Sequence, residues 1–169
     1  MKHPGQLTSV LIATAIMVFT SIIPVLNFIN LVCCAGIILG GAAGTFYYAK
    51  QLEKTGQAVQ NKDGLMIGLL SGIISAILYV ILSTLILMVS KQNPVELLYK
   101  IVDEYGIAIP PESEKMLRDV YDEYARQGFS FMMIGIELFV RIISHTIFGP
   151  IGGLIAASVF NKRKNALKQ

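Results

Sequence analysis

The sequence has little of what most functional sites are made from. It contains no tryptophan, two cysteines and two histidines, and only 15% of its 169 residues are charged. Soluble proteins carry about 25% charged residues. Against that scarcity, 54% of the chain is hydrophobic and its mean hydropathy is +0.62. A soluble globule of this size cannot enclose so much apolar surface in one core. A disordered chain, a collagen and an ordinary cytosolic domain are therefore excluded, and a polytopic membrane protein remains. Two adjacent cysteines, Cys33 and Cys34, are too few for a zinc site and lack the CxxC spacing. No phosphate-binding loop, HExxH, GxSxG or Ser–His–Asp set is present. The composition thus points to no enzyme and no cofactor.

What is present is a series of long uncharged runs. Pro4 to Ala49 is long enough for two crossings, since about 20 helical residues span a bilayer core. Pro24, Asn27 and Asn30 place turn chemistry in its middle. The pattern predicts helices at about 8–25 and 30–49, joined by a tight hairpin. Lys2 and the first run have features of a signal peptide. No small-x-small cleavage site follows, however, and the run continues into the second helix. Gly64 to Ser90 predicts a third crossing over about 64–89, with Asp63 as its N-cap. The last run ends at Lys162-Arg163-Lys164 and predicts a helix over about 130–161. The expectation is an all-α, single integral membrane domain with four transmembrane helices.

Residues 91–128 form the one sizeable polar insert. Asn93-Pro94 with Glu96 is a helix-start signal, and Gly106 is a stop. Pro110-Pro111 restarts the chain and Gly128 ends it again. Two amphipathic helices are expected, over about 94–105 and 111–127. Their apolar stripes are Val95, Leu98, Val102 and Tyr105, then Met116, Leu117, Val120, Tyr121 and Tyr124. Glu114 with Arg118, Lys115 with Asp119 and Asp122 with Arg126 are spaced as i,i+4 pairs. The insert holds five basic and eight acidic residues, whereas basic residues dominate at 2, 50, 54, 62, 162–164 and 168. The positive-inside rule then predicts cytoplasmic termini and an insert on the far side. The net charge of +3 is a topology signal and implies no nucleic-acid partner.

Small residues recur at four-residue spacing. Gly36, Gly40 and Gly44 mark the second helix, Gly68 and Gly72 the third, and Gly149 and Gly153 the fourth. Such stripes let membrane helices approach closely. They predict packing among these three helices and leave the first helix peripheral. A homo-oligomer interface or a gap for a ligand would use the same stripes. Pro150 predicts a kink or break in the last helix.

Glu137 and Arg141 are the charges inside the apolar segments, and His145 is the next step along the same face. Intramembrane ionisable groups are functional candidates. The stripe reads as an interfacial ion pair or anchor for the insert, as a contact for a partner or headgroup, or as a proton relay. His145 reads as a packing residue, or as a ligand to a haem or chlorophyll-type metal.

The run Ile23-Pro24 through Asn27 and Asn30 to Cys33-Cys34 and Gly36, then Gly40-Gly41, Tyr47-Tyr48, Asp63-Gly64, Gly68 and Gly72, resembles small uncharacterised bacterial four-helix membrane proteins. The likeness covers about residues 23–76. It implies a multi-pass protein of a bacterial inner membrane and carries over no functional residues. Two classes are left beside a third, a membrane-embedded enzyme or pigment protein, which rests on His145 alone. One is a non-enzymatic accessory protein in the bilayer, contacting a membrane-protein partner or a second copy. The other is a small oligomeric transporter or channel.

Overall fold

The structure is a computed structural model and describes residues 4–23, 30, 34–91 and 93–166. Most of the expected hairpin at 24–30, Cys33 and the basic residues Lys2 and Lys168 lie outside the described residues. Six α-helices and no strand are found among the described residues: α1 (Pro4–Ile22), α2 (Ala35–Lys54), α3 (Asn61–Ser90), α4 (Pro94–Tyr105), α5 (Pro111–Gln127) and α6 (Phe131–Ala166). Three of them are long and apolar enough to cross a membrane: α1, α3 and α6. The second expected crossing, α2, is less apolar. Its glycines, its paired tyrosines and the charged end at Lys50, Glu53 and Lys54 dilute it.

Local chemistry explains most helix ends. Pro4 opens α1, where a missing N–H costs nothing. Pro24 disfavours helical backbone in the residue before it, and Ile23 is a bend. α3 begins two residues before Asp63, so Asp63 is not its N-cap. The Asp63 carboxylate instead reaches back to accept the Gln60 amide at 2.9 Å. That is the acidic half of a capping box. α4 and α5 start and stop at the expected residues. The Asn93 side chain accepts the Val95 amide at 3.0 Å. Gly106 (φ 61°) and Gly128 (φ 78°) end the two helices in left-handed backbone, which favours glycine.

The chain divides into two compact units, one of Met1–Tyr79 with Val140–Gln169 and one of Val80–Phe139. α3 and α6 contribute to both. In the first unit α1 and α2 pack along one another. Val10, Ala13, Tyr48, Ala49, Leu52 and Ile67 form its apolar core. The expected peripheral place of α1 is thus corrected. Close approach needs glycine on only one of two helices, and Ser9, Ala13 and Met17 of α1 receive the glycines of α2.

The second unit is built on α4 and α5. Val95, Val120 and Tyr124 are buried, with Leu87, Tyr99, Leu117, Tyr121 and Met133 packed on them. The Tyr99 and Tyr121 rings meet edge to face, with centroids 6.3 Å apart. The inward stripe of α4 is therefore Val95, Tyr99 and Val102. Leu98 and Tyr105, expected to face inward, are exposed. The α5 stripe is as read apart from Met116, which is exposed.

Candidate functional site

In the first unit, α3 and α6 cross at reciprocal glycines. A β-carbon on Gly149 would lie 2.6 Å from the Gly68 carbonyl oxygen, and one on Gly68 would strike the Gly149 carbonyl. Gly64 and Gly153 stand in the same relation. One on Gly72 would lie 2.5 Å from the His145 carbonyl oxygen. On α2, the stripe Gly36, Gly40 and Gly44 faces α1. Added β-carbons there would meet Thr20 Oγ1 at 2.8 Å, Met17 Cγ at 2.5 Å and the Ser9 carbonyl oxygen at 2.6 Å. The neighbouring Gly41 turns to the Gly149 carbonyl on α6. These glycines are occupied by contacts within the chain.

α6 is continuous through Pro150, so of the expected kink or break, no break occurs. Pro150 has no N–H to offer the Thr146 carbonyl. Gly149, Gly152 and Gly153 flank it, and all three are buried.

Packing by glycine leaves a buried polar interior. Ser9, Thr14, Ser21, Thr45, Ser71, Ser75 and His145 are all buried in this unit. Serines satisfy themselves on their own helices. Ser71 donates to the Ile67 carbonyl at 2.7 Å, and Ser75 to the Gly72 carbonyl at 3.0 Å. Ser75 also lies 3.4 Å from the Met17 sulfur on α1. Thr14 Oγ1, Thr45 Oγ1 and both ring nitrogens of His145 are buried without a hydrogen-bond partner. A neutral imidazole carries one donor and one acceptor. His145 is fully buried, so both are unmet. Such groups are rare in folded proteins.

One turn before His145, Arg141 reaches Tyr79 of α3. Its Nη2 donates to the phenol oxygen at 2.8 Å, and its guanidinium carbon lies 3.9 Å from the ring centroid. The cation is thus held by both the face and the hydroxyl of one tyrosine. In the second unit, Glu137 is half-buried and accepts from Ser83 Oγ at 3.3 Å. The Tyr124 phenol is pushed above its ordinary value of 10.0 by burial, and further by the Glu137 carboxylate. Glu137 therefore acts on α5, within the insert.

Sequence reasoning placed Glu137, Arg141 and His145 on one face of α6 and missed their surroundings. Tyr79, Ser83, Thr14, Thr45 and Met17 were not singled out. A signal existed for two of them. Ser71, Ser75, Tyr79 and Ser83 recur every four residues through the largely apolar middle of α3.

The outer side of the α4–α5 hairpin is charged and grooved. Glu96, Tyr99, Lys100, Asp103, Arg118 and Tyr121 line a shallow groove of about 340 Å³. Glu114 and Arg118 pair at 2.9 Å, and Asp122 and Arg126 at 4.0 Å. Both pairs are exposed, so each adds about 0.2–0.5 kcal/mol at most. Among the described residues, no group of three or more His, Cys, Asp or Glu could hold a metal ion. No protein-family model matches the chain, and no curated protein or solved structure similar to it was found.

Proposed function

We propose that the chain is a four-crossing protein of a bacterial inner membrane and serves as a non-enzymatic accessory subunit, docking a membrane-protein partner on its α4–α5 hairpin. α2 is the fourth crossing in this reading. Its 20 residues extend about 30 Å, the thickness of a bilayer core. It carries contacts to α1 at Gly36, Gly40 and Gly44, so it travels with a helix that is apolar enough to span. Both termini then lie in the cytoplasm, and the hairpin lies outside. Single-cysteine labelling in a Cys33→Ala, Cys34→Ala background tests the topology. Asn27→Cys and Gln57→Cys should react from opposite sides of the membrane, and reaction from the same side refutes the fourth crossing.

The observation that carries the partner is the division of labour in the second unit. Its inner stripe is used by its own core, whereas a groove with both carboxylates and cations stays open. The glycine stripes are already spent inside the chain. Mild-detergent purification from native membranes tests this reading, with mass, co-purifying proteins and absorbance read together. A partner at fixed stoichiometry supports it, and a homo-oligomer alone refutes it.

A second reading is favoured by one observation, the unpartnered His145 between Arg141 and Gly149–Pro150 on the continuous α6. A small transporter would place an ion or water there. Flux into liposomes that is lost in Glu137→Gln, in a protein that still folds, would establish it.

A further inference from the structure

α4 is divided into three strips rather than two. At 100° per residue, Val95, Tyr99 and Val102 fall on one strip; Val95 and Tyr99 pack into the second unit and Val102 is half-buried. Glu96, Lys100, Asp103 and Glu104 fall on another, and all four are exposed. Between them runs a third strip of Leu97, Leu98, Ile101 and Tyr105. It is apolar and exposed, with Leu97 at 64% and Tyr105 at 72%. The apolar arc of α4 therefore spans over half the helix, and the hairpin uses about half of that arc.

The connections say what covers the remainder. α3 ends at Ser90 and α4 begins at Pro94, so three residues separate a candidate span from the amphipathic helix. A fully extended chain covers at most about 3.6 Å per residue, so α4 begins within about 15 Å of the end of α3. The far end of the hairpin is tied as closely, since α5 ends at Gln127 and the candidate span α6 begins at Phe131. In the same unit the end of α3 turns Leu85, Ile86 and Val89 outward, the last at 84% exposure. A helix tethered at that distance, with an apolar strip beside a charged one, has the two-sided layout of an interfacial helix, with acids on its charged strip in place of the usual Lys and Arg.

We propose that α4 lies in the membrane–water interface and inserts Leu97, Leu98, Ile101 and Tyr105 among the lipids. The inference rests on the membrane-spanning reading and not on the partner. The charged strip of α4 holds three acids and one lysine, so the lipid it suits is zwitterionic, and the apolar strip supplies the binding. The partner groove and the lipid strip are different sides of one helix, because Glu96, Lys100 and Asp103 line the groove and none belongs to the strip.

The absence of tryptophan makes the test clean. Leu98→Trp, and independently Leu97→Trp, place a single fluorophore on the strip at exposed positions that the fold does not need. Ile77→Trp within α3 is the control for the span, and Lys100→Trp the control for the wet side. The proteins are reconstituted into phosphatidylcholine vesicles carrying bromines at shallow or deep chain positions. Interfacial helices bury their apolar face about 5–10 Å into the headgroup boundary. Leu98→Trp and Leu97→Trp should emit at shorter wavelength than Lys100→Trp and lose most of their emission to shallow bromines, less to deep ones. Ile77→Trp should be quenched most by deep bromines, and Lys100→Trp by aqueous acrylamide. Strip reporters quenched by acrylamide and untouched by bromines overturn the proposal while Ile77→Trp still upholds the span. Blue-shifted strip reporters that no bromine quenches mean that protein covers the strip, and also overturn it. An Ile77→Trp that no bromine reaches overturns the span, and the proposal with it.

Discussion

Gly68 and Gly149 each occupy the space that a side chain on the other would need. A β-carbon on Gly149 would lie 2.6 Å from the Gly68 carbonyl oxygen, and one on Gly68 would meet the Gly149 carbonyl. The obstacle on both sides is backbone, which cannot rotate away as a side-chain tip can. In the proposed membrane setting, lipid offers no hydrophobic drive to bring helices together, so close packing of this kind carries much of the association.

Alanine at either position should force α3 and α6 apart. Gly68→Ala and Gly149→Ala should each lose about 1–3 kcal/mol, the usual cost of overpacking. Gly135, also in α6, has open space around its β position, and Gly135→Ala should be neutral or stabilising. Thermal or SDS denaturation in detergent measures the contrast. Equal effects at Gly135 and Gly149 would contradict the packing account.

Tyr79 holds Arg141 in two ways, and two substitutions separate them. Tyr79→Phe keeps the ring beneath the guanidinium and removes the 2.8 Å hydrogen bond. A bond to a charged donor is worth about 1.5–3 kcal/mol. Tyr79→Leu should cost more, by the about 0.5–1 kcal/mol or more of a cation–π contact. Identical stabilities for the two variants, measured by the same denaturation, would show that the stacking contributes nothing.

His145 gives a prediction of opposite sign. A buried group without partners costs stability, so replacing it by an apolar side chain of similar size should not hurt. His145→Leu should be neutral or more stable by about 1–3 kcal/mol. A clear loss of stability would mean that the imidazole has a bound partner, and would favour the transport reading.

Tyr124 supplies a pH dependence. Its phenol is raised above 10.0 in the folded chain, by burial first and Glu137 second. A raised folded value means that the folded state holds the proton more tightly. The corresponding stability is fully present below pH 10.0 and is lost as pH rises through the higher folded value. Alkaline titration of tyrosinate absorbance should lose a late-ionising phenol in Tyr124→Phe. In Glu137→Gln it should move down only part of the way, because burial remains.

The hairpin was the most legible part of the molecule. Asn93-Pro94, Gly106, Pro111 and Gly128 are local signals, and α4 and α5 begin and end where those residues require. The glycine stripes were legible as stripes, yet their partners were not. Spacing shows that Gly40 and Gly44 permit approach, and says nothing of Ala13 and Met17 lying against them. The same limit hid Tyr79 behind Arg141, since a contact between residues 62 positions apart leaves no local trace. The inward face of α4 was misread because its apolar arc is wide. Hydrophobic spacing alone cannot choose which half of such an arc meets protein.

The most direct test of the central claim compares two purifications from native membranes in mild detergent. One uses the unaltered chain, and the other a Glu96→Lys, Asp103→Lys variant whose groove charge is reversed at two exposed positions. The account predicts a membrane-protein partner at fixed stoichiometry with the first and its loss from a still-folded second. A partner retained by both, or a chain that purifies with no partner at all, would contradict it.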